Sequence, residues 1–211
     1  MAVLVAVVWG GLDRTLRTSQ GEFAAQVAEA VAGQVTAELR SIDDMLSTIA
    51  ASDSPRLPLP GGVAPSAAAV SSWAVIDAAG TVRASTGKSL SPAVVKRVAG
   101  VSSVRGTRLV GVIDGSQRTL VLARTVVAGD GAPLVVLARL ELSSLRRPST
   151  SERAAAEFCL VAPRTAAQFC TGDHAPPPEA FAATPAGQLA HWNHRGEPML
   201  ALSVPLQAPL A

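Results

Sequence analysis

The sequence predicts an α+β chain in which one long N-terminal helix is followed by two antiparallel-sheet units. Three observations carry that expectation. Between Asp13 and Ala51 the apolar residues keep a helical period, and no proline interrupts them. Beyond a proline-rich break the period changes to that of short strands joined by tight turns. Near the C-terminus the same order of strands, helix and strands begins again.

The chain opens on "MAVLVAVVWGGL", an uncharged run that ends at Asp13. A spanning helix needs about 20 apolar residues. A secretory signal would carry a basic region before its apolar stretch. Residues 1–12 are therefore read as a partial transmembrane segment, the outer half of a membrane helix whose first half lies outside the chain. The alternative is a short buried helical turn. A long helix is expected over 13–52. Phe23, Val27, Val31, Val35, Leu39, Ile42, Leu46 and Ile49 form its stripe, and Glu22, Glu29, Arg40 and Asp43 lie off it. Four-residue spacing drifts around a helix, so this is not a heptad seam. The stripe is expected to pack along its own domain, with a homodimer contact along the helix as a second use.

"DSPRLPLPGGVAPS" (53–66) holds four prolines and a Gly-Gly and reads as a loop. The first sheet unit spans 69–147. Its expected strands are 71–78, 81–86, 107–114, 118–127 and 133–141. A short helix over 91–100 lies among them, with Ser91 as N-cap, Pro92 in the first turn and Gly100 at the end. Short connections make the pairing antiparallel. The second unit spans 155–211. "FCLVA" and "AAQFC" form a pair, "PPPEAFAAT" a short helix, and "QLAHWNH" with "PMLALSVPL" another pair. At an offset of 79, residues 110–127 match 189–206 in order of elements, with almost no identity. The second unit lacks a final strand, so the chain is expected to be a truncated piece of a longer protein.

Both cysteines lie in the hairpin 158–170. With Arg164-Thr165 at its tip, Cys159 faces Cys170. Directly opposed residues have Cβ atoms about 4.5–5.5 Å apart, near what a disulfide needs. A disulfide implies an oxidising compartment. Two free buried thiols are the alternative.

Composition excludes several classes. Net charge is +2 and the basic residues are scattered, so no nucleic-acid partner is expected. The chain contains no Tyr, which argues against an aromatic-lined base or sugar platform. "GDGAPL" has glycines but neither a lysine nor a following helix, so it is a turn and not a phosphate loop. No nucleophile elbow or zinc-protease motif occurs.

The strings "ELRSIDDMLSTIAA", "WAVIDAAGTVRAST", "LVGVIDGSQRTLVLARTVVAGDGAPLVVLARLELSSL" and "CLVAPRTAAQFC" together resemble the double Cache sensor regions of bacterial membrane receptors. Input regions of membrane-anchored diguanylate cyclases and phosphodiesterases are the nearest in pattern. The resemblance covers most of residues 13–211. It implies two PAS-like units in series, 69–147 being membrane-distal and 155–211 membrane-proximal. It further implies an inner-membrane protein with this region in the periplasm, a small-molecule or periplasmic-protein partner, and a cytoplasmic output of the cyclic-di-GMP or histidine-kinase type. Such ligands bind mostly in the distal unit. Amino-acid binders carry a Tyr/Arg/Trp-rich signature after the inserted helix, and this chain has none.

Around Gly115-Ser116-Gln117 the expected register opposes Asp114 to Arg118 and Arg108 to Arg124. The first pair would form an ion pair. The second would place two guanidinium groups side by side, a site for a carboxylate or phosphate. The alternatives are that both splay into solvent, or that the register is off by one. His174, His191 and His194 all fall in the second unit. On a strand, positions three apart point to opposite faces, so no metal site is expected and exposed turn histidines are the default. Trp73 and Trp192 are expected in the cores. No cofactor and no enzymatic activity are expected. The rival readings are a secreted or tethered scaffold module and a metal-dependent periplasmic enzyme.

Overall fold

The computed structural model describes residues 4–10, 17–51, 69–100, 106–114, 117–127, 131–145, 157–162, 167–182 and 184–206. The expected loop over 53–66, the expected helical start at 13–16 and the hairpin tip Arg164-Thr165 lie outside them. In chain order the elements are β1 (Leu4–Gly10), α1 (Arg17–Ala51), β2 (Val70–Asp77), β3 (Val82–Gly87), α2 (Pro92–Ala99) and β4 (Gly106–Asp114). Then follow β5 (Gln117–Val127), β6 (Pro133–Leu140), β7 (Glu157–Ala162), β8 (Ala167–Cys170), α3 (Pro178–Ala182), β9 (Leu189–His194) and β10 (Glu197–Pro205). The chain divides into a split unit, Met1–Thr36 with Arg146–Gln207, and a central unit built on Ala37–Leu145.

Helix α1 runs for 35 residues and contributes to both units. Val27, Val31, Val35, Leu39, Ile42 and Leu46 are buried, as the period predicts, and Ile49 is half-buried. The small residues Ala24, Ala28 and Ala32 widen that stripe.

The central unit is a five-stranded antiparallel sheet in the order β3-β2-β6-β5-β4. One face carries Ala74, Ile76, Val110, Val112, Val121, Ala123, Val135 and Leu137, covered by Val94 and Val98 of α2. Helix α2 starts where the sequence says it should. Ser91 accepts a hydrogen bond from the Val94 amide at 3.4 Å, and Pro92 occupies the first turn. Leu122 and Leu137, each fully buried, contribute about 1.5–3 kcal/mol apiece by leaving water. Gly87 ends β3 at φ +79°, where a Cβ would meet the Ser71 carbonyl oxygen at 2.3 Å, so no other residue fits there.

The split unit has a sheet in the order β8-β7-β1-β10-β9. Here the structure corrects the sequence reading of residues 1–12. Leu4–Gly10 is not part of a membrane helix but the central strand, antiparallel to β7 on one side and β10 on the other. Val5, Ala6, Val7 and Val8 are at most 1% exposed, because both faces of a central strand are covered. A strand buried on both faces reads as a continuous apolar run, and its length alone does not separate it from a piece of membrane helix. The missing last strand of the second unit is supplied in the same way, by the N-terminus. Among the described residues no helix is long and apolar enough to cross a membrane.

The two sheets share one plan. Strand β1 holds in the split unit the place that β6 holds in the central one, while β7-β8-α3-β9-β10 follows the order of β2-β3-α2-β4-β5. The second hairpins correspond at an offset of 80, Asp114 with His194 and Gln117 with Glu197, rather than 79.

Candidate functional site

The register of β4 and β5 differs by one from the expected one. Asp114 pairs with Gln117, leaving only positions 115–116 between them. Two-residue connections are the commonest hairpin loops, and a slip of one residue turns every side chain to the other face. Arg108 therefore opposes Ala123, Arg124 opposes Thr107, and Arg118 opposes Ile113. Arg108 shares a face with Val110, Val112 and α2; Arg124 and Arg118 lie on the other. Arg108 is thus not opposite Arg124 in the ladder, nor is Asp114 opposite Arg118. The side chain of Asp114 lies outside the described residues.

Arg124 is occupied. Its Nη1 donates to Asp43 Oδ1 of α1 at 3.0 Å and to Thr107 Oγ1 at 2.9 Å, and the Thr107 hydroxyl donates to the same Asp43 oxygen. Asp43 and Arg124 are 15% and 32% exposed, so the pair is partly desolvated and worth more than a surface ion pair. It pins the second half of α1 to one face of the central sheet.

Arg108 is the opposite case. Its Nε is buried and has no hydrogen-bond partner. Its neighbour across the ladder, Ala123, carries only a methyl group, and the next residues along that row are Leu137 and Ala74. Those three side chains are apolar and at most 2% exposed, so the row offers the guanidinium no acceptor. A cationic donor shut off from water and unpaired is rare, because its desolvation is uncompensated. A carboxylate or phosphate presenting two oxygens would satisfy Nε and a neighbouring Nη together.

In the split unit Cys159 and Cys170 are opposed in the β7–β8 ladder and joined as a disulfide, with Cα atoms 4.0 Å apart. The bond sits on a face shared with Ala6, Val8, Met199, Ala201 and Phe181 of α3, with Trp192 packed beside it. Trp192 Nε1 is buried without a partner. His191 is exposed on β9, and His194, an odd number of residues away, faces the other side. The histidines are not all exposed turn residues. His174 and His194 are half-buried and meet edge to face at 5.2 Å, and His174 Nδ1 lies 2.7 Å from Glu157 Oε1. That hydrogen bond and charge of Glu157 raise the His174 pKa above its usual 6.5. Among the described residues no group of three His, Cys, Asp or Glu is placed to hold a metal ion.

No family model matches the chain, and no curated protein matches it. Among solved structures it is similar to the ligand-binding domain of the Campylobacter jejuni chemoreceptor Tlp3, crystallised in complex with 4-methylisoleucine. Identity is 11% and the TM-score 0.41, over 95% of this chain and 99% of that one.

Sequence reasoning named Arg108 and Arg124 but missed Asp43, Thr107 and Glu157. Asp43 lies off the apolar helix stripe, which gives no sign of a partner. Its partners lie 64 and 81 residues away, and no local pattern connects them.

Proposed function

We propose that this chain is an extracytoplasmic ligand-sensing input region of a transmembrane signalling protein, with its ligand site on the Arg108 face of the central unit. The ligand is a small anion, a carboxylate or phosphate. The observation that carries this reading is the buried, unpaired Nε of Arg108, opposed across the ladder by the methyl group of Ala123. The disulfide supports the compartment, since such bonds persist in oxidising surroundings.

Signal output follows from the placement of adjacent residues on β4. Arg108 faces the ligand side, and Thr107, the next residue, faces α1 and holds Asp43 with Arg124. An anion that draws Arg108 shifts β4, and β4 carries the anchor of α1. The ligand need only bind one position of that strand better than the other, since its differential affinity sets how far the equilibrium moves. The helix then passes the change to an output module outside this chain, of the cyclic-di-GMP or histidine-kinase type.

The test is a thermal-shift screen of the 211-residue chain against mono- and dicarboxylates, phosphate and phosphate esters. At least one anion should raise the melting temperature of the wild-type chain and not that of Arg108→Gln. A panel without effect, or an effect unchanged in Arg108→Gln, sinks the reading.

A further inference from the structure

The split unit holds a second feature that the ligand reading does not use. The segment 171–177 leaves the disulfide-bonded strand β8 and leads to α3, which sends Phe181 into the core of that unit. Two residues of the segment tie it back to the start of β7. Thr171 exchanges hydrogen bonds with the backbone of Phe158: its amide donates to the Phe158 carbonyl at 3.0 Å, and its hydroxyl accepts from the Phe158 amide at 3.1 Å. Nothing in that contact titrates near neutrality. The second tie does. One Glu157 carboxylate receives the His174 backbone amide at 3.1 Å on one oxygen and the His174 ring at 2.7 Å on the other. The chain passes so close that a Cβ at Gly172 would lie 2.0 Å from the carboxyl carbon of Glu157, so any larger residue there would displace that carboxylate.

We propose that this Glu157–His174 contact is a pH-governed latch, closed in acid and loosened in alkali, that makes the seating of the 171–177 segment and α3 a response to proton concentration. Every charged or titratable group facing the His174 ring bears on its sign. Glu157 of β7 is in contact. Glu197 of β10 and Asp173 of the segment itself add negative charge at longer range. His194 of β9 packs edge-on against the ring. The three carboxylates favour the imidazolium, and the contact with Glu157 dominates. The folded-state pKa is therefore above 6.5. While Glu157 is ionised, protonation of His174 stabilises the latched form fully below the unfolded value, and that contribution is lost as pH rises through the folded value. In alkali the neutral ring holds the carboxylate less firmly and the His174 amide bond to it weakens, while the Thr171 bonds to Phe158 persist, so the segment loosens rather than unfolds. The latch stands on geometry in the split unit and does not depend on what Arg108 binds.

The experiment has two readouts on the 211-residue chain. An NMR titration of the histidine imidazoles should place the His174 midpoint above 6.5 in the wild type and lower in Glu157→Gln. Hydrogen exchange, corrected for its intrinsic pH dependence, should show the amides of Gly172 to Ala175 losing protection through that midpoint, and not doing so in His174→Gln. A wild-type His174 midpoint at or below 6.5 overturns the proposal without any variant. So does exchange in His174→Gln with the same pH dependence as the wild type. The amides of α3 should lose protection in step with the segment, and α3 protection that does not change through the midpoint overturns its part in the latch.

Discussion

Replacing Arg108 by methionine should make the unliganded protein more stable, although it removes a residue from the candidate site. The side chain is half-buried on the α2 face, and its Nε is sealed from water with no acceptor. A buried donor without a partner costs about 1–3 kcal/mol, and more when it carries charge. Part of the guanidinium charge is relieved because the residue is not fully buried. The expected gain in Arg108→Met is therefore about 1–2 kcal/mol. Methionine keeps the unbranched stem that lies along Val110 and Ala123, so packing is retained. Alanine would lose that packing and confuse the sign. Native-state hydrogen exchange at the fully buried Val136 and Leu137 of β6 reads the stability of the central unit without mixing in the split unit. A loss of stability above about 1 kcal/mol in Arg108→Met would refute the reasoning, since it would mean that the guanidinium is already satisfied.

Further outcomes follow from the same structure. Removing the disulfide with Cys159→Ala and Cys170→Ala frees a link across a separation of 11 residues, which the chain-entropy relation puts at about 2.8 kcal/mol. Denaturation should show that loss in the split unit, with exchange at the buried β6 amides of the central unit unchanged. Asp43→Asn should cost about 1–2 kcal/mol and lower protection in the second half of α1, because Arg124 keeps its partly buried charge without a counter-charge. A double-mutant cycle with Arg124→Met should show coupling between the two sites, and additive losses would argue against the pairing.

Much of the fold was legible because the local signals agreed with it. The α1 stripe, the Ser91-Pro92 start of α2 and the strand strings at β2 and β5 each point to one structure, and each is found there. The cysteine pair was legible because opposed strand positions are fixed once the tip is known. Register at the β4–β5 turn was not. Both a two-residue and a three-residue connection fit "DGSQR", and the wrong choice moved Arg124 to the face of Arg108. The same choice shifted the repeat offset by one, since Arg195 (φ 53°) and Gly196 (φ 89°) form a two-residue turn at the equivalent place. Residues 4–10 were misread for a different reason. Their partners are about 150 and 200 residues away in sequence, so the valine run gave no local sign of what would cover it. Glu157 and His174 were illegible in the same sense, being joined only through the β7–β8 hairpin.

The central position of β1 has a consequence for how the molecule is made. Leu4 pairs with Pro205, so β1 must wait for a strand about 200 residues further along the chain before its sheet can close. Pairings this distant in sequence are slow, because the loop must close before any contact compensates for it. The central unit, contiguous from Ala37 to Leu145, meets no such delay and can assemble while the rest is still being synthesised. Until β7 and β10 arrive, the valine-rich strand stands with both edges open to pairing with another chain.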